Sequence, residues 1–287
     1  MSASVLFDAP GPKTVARHRT YTIVSIVALL ALIAFGVWRL YDKDQLDYAL
    51  WEPFLTPKYI QFILVDGLIE TLKMAFFSIV FAVVIGLVLG IGKLSDRGWI
   101  RWPAWLVVEF FRAAPVLLLM VFAFYLLSIG SGPLSPFWCV VIALTLYNGS
   151  VLAEVFRAGI NAVPRGQSEA AYAIGMRKSQ VMTTVLLPQG VKIMLPSIIS
   201  QMVVALKDTS LGYYITAPGL TAVGKPLYLE FGNQVPTAIV ITGIYVTINL
   251  ILTWIATIVQ KRLVGEKKML DVPMVGEAQQ SAGAAVP

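Results

Sequence analysis

Polar and apolar residues alternate along this chain in long blocks, and six of the apolar blocks are long enough to cross a bilayer as helices. They run over about 21 to 41, 67 to 92, 104 to 129, 136 to 157, 190 to 211 and 236 to 259. The pattern predicts an all-α membrane protein of about six transmembrane helices. Tyr21 to Trp38 is longer than the apolar core of a signal peptide and no small-x-small cleavage site precedes Asp42, so the first block reads as a retained helix. Between the fourth and fifth blocks the segment is too polar to cross, yet it has helical character. Pro164 suits a first turn, Glu169, Ala170, Ala171 and Ala173 favour helix, and Gly175 is a natural stop. A second short helix is predicted from about Ser179, as its cap, to Leu186, ending at Pro188.

Composition narrows the class. Of 287 residues 57% are hydrophobic and 13% charged, about half the charge of an average soluble domain. A single cysteine, Cys139, excludes an intrachain disulfide, and the single histidine, His18, lies in the N-terminal tail. Zinc chemistry and Ser/His or Cys/His hydrolysis lack their side chains. Gly86 to Lys93 is one residue too long for a phosphate loop and is followed by Leu94 where Ser or Thr is needed, so no cofactor is expected in this chain.

The net charge of +6 is a matter of position. Fifteen of the 22 Lys and Arg residues fall in the N-terminal tail, the 93 to 103 loop, the 157 to 192 segment and the C-terminal tail, against three in the alternate connections. By the positive-inside rule both termini and the 157 to 192 segment are cytoplasmic. Asp42, Asp44, Asp47 and Glu52 mark the opposite side. The basic excess thus encodes topology and does not point to nucleic acid.

Glu169-Ala170-Ala171, three residues, Gly175, nine residues, Val185, one residue and Leu187-Pro188 form a spaced pattern. It resembles the EAA loop of ATP-binding-cassette importer permeases, with valine in place of the usual isoleucine. More of the chain resembles the polar amino-acid subfamily, the glutamate, glutamine, histidine and arginine type of permease. These stretches are Gly67 with Thr71-Leu72, Phe111-Arg112-Ala113-Ala114-Pro115, Glu154 to Gln167, Pro188-Gln189, Pro196 and Lys207-Asp208-Thr209-Ser210-Leu211. Three departures stand out: Ala113-Ala114 for the usual Gly-Thr, Ser200 for Asn, and Arg177 for a capping Ser.

The resemblance implies a type I importer core over 67 to 260 with a cytoplasmic coupling loop at 161 to 189. Residues 1 to 20 would be a cytoplasmic tail, 21 to 41 an added N-terminal helix, and 261 to 287 a cytoplasmic tail of disordered composition. It also implies that Gln167, Glu169, Ala170, Ala171, Gly175, Leu187 and Pro188 dock on an ATPase dimer that binds ATP and Mg. A second permease subunit, identical or homologous, would complete the pore in the bacterial inner membrane, and an extracytoplasmic binding protein would deliver the amino acid. The chain itself would be no enzyme. A rigid, exposed loop with small alanines and one free carboxylate suits a close-fitting contact.

Charges inside spans need a partner, water or an interface. Lys73 with Glu70 and Arg112 with Glu109 are at i,i+3 spacing and can pair; otherwise Lys73 or Arg112 faces a cavity and attracts a carboxylate. On that second reading the substrate is acidic, glutamate or aspartate. Glu154 and Arg157 lie at the base of the coupling loop and are read as its support. Lys207, Asp208, Thr209 and Ser210 interrupt the fifth span and belong either to the substrate path or to a frayed helix end. Gly86 and Gly90 form a small-xxx-small packing pair. The alternative function is an ion-coupled transporter or channel using Glu70, Glu109 and Glu154, which would give no reason for a capped two-helix loop.

Overall fold

The structure is a computed structural model, described over residues 12–130 and 132–264. Its helices are α1 (Pro12–Asp42), α2 (Pro57–Lys93), α3 (Gly98–Ala113), α4 (Val116–Leu127), α5 (Pro136–Asn161), α6 (Arg165–Ala173), α7 (Lys178–Ile215), α8 (Leu220–Phe231) and α9 (Gln234–Val264). Five of these, α1, α2, α5, α7 and α9, are long and apolar enough to cross a membrane, and α3 with α4 makes a sixth if the bent pair is one span. The predicted C-terminal tail lies outside the described residues apart from 261–264, which continue α9. The N-terminal tail lies outside them up to residue 11, and α1 begins at Pro12.

The described chain divides into two compact units. One runs to Phe62 and takes in Gly224–Val240. In it, α1 is exposed along its length, as a helix apolar on every face is when lipid is its solvent. A one-turn helix, Tyr48–Trp51, follows, with Asp47 accepting from the Ala49 amide. Asn233, fully buried, ties this turn down by donating to the Leu50 carbonyl at 2.9 Å. The Tyr59 hydroxyl donates to Glu230 at 3.1 Å while its ring meets Phe231 edge-on.

The second unit, Ile63–Val223 with the chain from Ile241 onward, is built around α5. That helix carries Asn148, Gly149 and Ser150, all buried, in mid-span, a composition suited to a helix surrounded by protein. α2 lies against it through small residues. A Cβ on Gly86 would come within 2.8 Å of Leu152 Cβ, and one on Gly90 within 2.9 Å of the Ala153 carbonyl. This is the packing role expected of the glycine pair. α7 crosses α5 in the same way, with Gly159 and Gly190 stacked backbone to backbone. Met74, Met120, Cys139, Leu144 and Ile215 fill one core cluster; Ala82, Leu152, Phe156, Met194 and Ile198 fill another.

Three elements depart from the sequence expectation. The apolar block at 104 to 129 is two helices bent by 103°. Pro115 has no N–H to continue α3 and forces Ala114 into extended backbone, φ −77° and ψ 132°, so the helix stops and restarts. The second span begins at Pro57, ten residues before Gly67, because Asp66 interrupts the hydropathy signal inside a π turn, Ile63–Ile69. Finally, α8 was not anticipated in the fifth connection.

Candidate functional site

α6 is the polar helix of the predicted coupling loop. Pro164 sits just ahead of it as its N-cap, and its end is closed by two crossed hydrogen bonds: Gly175 N–H to the Tyr172 carbonyl at 2.9 Å and Met176 N–H to Ala171 at 3.2 Å. Gly175 makes this possible at φ +83°, where a side chain would be strained. Glu169 and Ala170 face outward, whereas Ala171 is turned in and buried. Tyr172 and Ile174 stand exposed beside Glu169 on the same short stretch, 48% and 79% accessible. Neither belongs to the spaced motif read from the sequence.

The second loop helix is not separate. It starts at Lys178, where the Gln180 side chain accepts from the Arg177 amide at 2.8 Å, so Ser179 is not the cap. It then runs through a π turn, Val181–Leu186, straight into the span, and Pro188 begins the next stretch instead of ending this one. A proline here withholds an N–H from the preceding turn and crowds its carbonyl, and the wider π turn accommodates both effects. Gln189 donates to the Val185 carbonyl at 3.0 Å and reaches Gln167 at 3.4 Å, joining the two arms of the loop. Leu187 packs inward against the second core cluster. Lys178 pairs with Asp96 of the 94–97 turn, and this bond holds the Asp96 carboxyl below its ordinary range.

Glu154 and Arg157, read from the sequence as support of the loop, pair at 2.8 Å. Glu154 is also held from another side. Lys93, whose side chain is only 6% exposed, bonds both Glu154 and Glu109, the latter at 3.1 Å. One buried ammonium thus joins the ends of α2 and α5 to α3. Counting Lys93 among loop charges concealed this, because its partners lie 16 and 61 residues away in sequence.

The charges inside the spans separate by partner. Lys73 bonds Glu70 at 2.7 Å and Arg112 lies 3.6 Å from Glu109, the i,i+3 pairs anticipated as one alternative. Lys207 makes no ion pair among the described residues. It lines a groove of about 540 Å³ with Ser210, Thr221 of α8, and Tyr245, Asn249 and Thr253 of α9. Thr209 is 2% exposed and donates to the Leu206 carbonyl, whereas Lys207 is exposed and Asp208 and Ser210 are half-buried. Asp208 closes the α-helical part of α7, and a 3-10 turn, Thr209–Ile215, carries on from it. Thr71, Thr209 and Thr221 stand near the Tyr245 hydroxyl. The Leu220 amide also donates to Thr71 at 2.8 Å.

An exposed capped loop, a buried ionic base and a polar groove stand out among the described residues of the second unit. Residues 82–265 match the family described as binding-protein-dependent transport system inner membrane component. The chain belongs to this family. The permease is 40% identical to the glutamate transport system permease protein GluD of Corynebacterium glutamicum over 77% of this chain and 82% of that one. It is 34% identical to the arginine transport system permease protein ArtQ of Bacillus subtilis, over 71% and 93% respectively. Among solved structures, an amino acid ABC transporter crystallised with histidines superposes with a TM-score of 0.65 at 28% identity, covering 71% of this chain and 95% of that one. The permease is therefore a membrane subunit of an ABC amino-acid importer, of type I fold, and not an enzyme.

Proposed function

We propose that the permease forms half of the pathway of an ATP-driven importer whose substrate is an acidic amino acid, glutamate before aspartate. An ATPase dimer, binding ATP and Mg, would seat on Glu169, Ala170 and the exposed Tyr172 and Ile174 from the cytoplasmic side. Its closure would move α6 and, through Gln167 to Gln189 and Leu187, the base of α7. Glu154, Arg157 and Lys93 would pass that motion to α2 and α3. A second permease subunit would complete the pathway, and a binding protein would deliver substrate from the opposite face. ATP-driven alternation would then be a shift of population between two permease conformations, set by which one the nucleotide-bound ATPase holds better.

The observation that carries the acidic substrate is Lys207, which lines a groove and forms no ion pair among the described residues, although Asp208 beside it feels its charge, whereas Lys73 and Arg112 are paired. The identity to a glutamate permease supports the same choice. Uptake of labelled glutamate and arginine in a strain lacking the permease tests it. Loss of glutamate uptake with arginine unaffected is expected, and the reverse pattern would reject the assignment. Co-purification on a tagged permease should bring down an ATPase and a permease partner.

A further inference from the structure

A second cavity, of about 580 Å³, lies between α3 and the ends of α2 and α5. Its charges are unevenly used. Lys93 is held by Glu109 and Glu154, and Arg157 by Glu154 at 2.8 Å, so both carboxylates of the lining are already paired. Arg101 of α3 stands apart from them. It is exposed and forms no ion pair among the described residues, although Asp96 feels its charge. The lining thus sets three cations against two carboxylates, an excess of one positive charge.

Two tryptophans complete the cavity. Trp102 and Trp105 follow Arg101 within one turn of α3, their rings meeting edge-on at 5.7 Å, and they are 64% and 43% exposed. The same helix leaves Leu106 and Phe110 exposed. In a chain that spans the membrane such side chains are solvated by acyl chains, and indoles beside a basic residue are the pairing found where hydrocarbon gives way to headgroups. A soluble anion would engage the arginine and leave the indoles in water, whereas a phospholipid engages both.

We propose that this cavity binds the headgroup of an anionic phospholipid, with the phosphate on Arg101 and the glycerol backbone and first acyl carbons against Trp102 and Trp105. The planar guanidinium matches two phosphate oxygens, and the single charge of a phosphodiester balances the excess of the lining. By the positive-inside reading the site would lie in the cytoplasmic leaflet, where basic pockets between spans meet anionic lipid. It depends on the membrane location of the chain and not on which substrate the importer carries.

The test uses the complete transporter in phosphatidylcholine nanodiscs doped with phosphatidylglycerol, either lipid carrying bromine on its upper acyl carbons to quench tryptophan fluorescence. Brominated phosphatidylglycerol should quench a fraction that saturates at low lipid content and that brominated phosphatidylcholine leaves alone. Combining Trp102→Phe with Trp105→Phe should remove that fraction. Arg101→Gln should raise the phosphatidylglycerol needed for half-saturation about tenfold, the scale of a charged hydrogen bond. Arg101→Lys should keep much of the affinity, and Arg97→Gln, an equal loss of charge outside the lining, should leave it near native. Equal weakening by Arg97→Gln and Arg101→Gln would reduce the effect to general surface attraction and overturn the site, as would equal quenching by the two lipids. Displacement of the quencher by millimolar glycerol phosphate would show that a soluble phosphate suffices and overturn the lipid assignment.

Discussion

Lys93 shows how one side chain acquires a role through its neighbours. Its ammonium is buried between two carboxylates, and removing it leaves Glu109 with only the looser Arg112 and Glu154 with Arg157 alone. Breaking such a buried pair costs about 3 kcal/mol. Lys93→Met should lower the thermal midpoint of the detergent-solubilised permease, and adding Glu154→Gln should recover part of the loss. Equal losses in the single and double variants would show that the two residues are not coupled. The reverse holds at Lys73, exposed and paired within one turn. Lys73→Gln should leave uptake near native, where Lys207→Gln abolishes most of it, as measured in a strain carrying each variant. The sequence showed both pairing partners of Lys73 and Arg112, because three residues of helix fix their distance. It could not show those of Lys93.

At the level of elements, the loop and the helix crossings are governed by glycine. Gly175 closes α6 at positive φ, and Gly175→Ala should cost about 1 kcal/mol through left-handed strain. The loop should then fray, read as faster amide exchange over 170–177 and a lower ratio of transport to ATP hydrolysis. Gly90→Leu meets backbone directly and should separate α2 from α5, seen as loss of monodisperse protein. The tether between Lys178 and Asp96 titrates. Asp96 is held below its ordinary value, so the bond is fully present above that value and is lost as pH falls through the lowered one. Amide exchange at 176–182 should thus be insensitive to pH near neutrality, after correction for intrinsic rates, and rise only under acid conditions. In Asp96→Asn it should be raised at all pH values. Helix existence was legible from hydropathy; the break at Pro115 and the continuity across Pro188 were not, because a proline can end a helix or be absorbed by a wider turn according to what packs around it.

As a transport subunit, the permease would receive work at one surface and substrate at one groove. Glu169→Lys with Ala170→Trp should leave the permease in the inner membrane at native abundance while separating it from its ATPase on purification. Retention of the ATPase by that variant would show that docking lies elsewhere. The outward positions of Tyr172 and Ile174 predict that Ile174→Asp alone weakens the same association, a residue that the spaced motif does not include.

The sequence by itself determined the class of this protein: apolar blocks of bilayer length, basic residues sorted by side, and a spaced loop motif are properties of consecutive residues. It also determined local partners, the i,i+3 pairs and the glycine stop, since the helix fixes those distances. Only the tertiary structure decided which charges stay unpaired. Lys93 is neutralised by residues on two other helices, and Lys207 is left facing a groove to which the last span contributes Asn249. Burial and pairing across helices depend on packing, and in a membrane, where an unpaired charge is costly, that packing selects the residues left to bind a ligand.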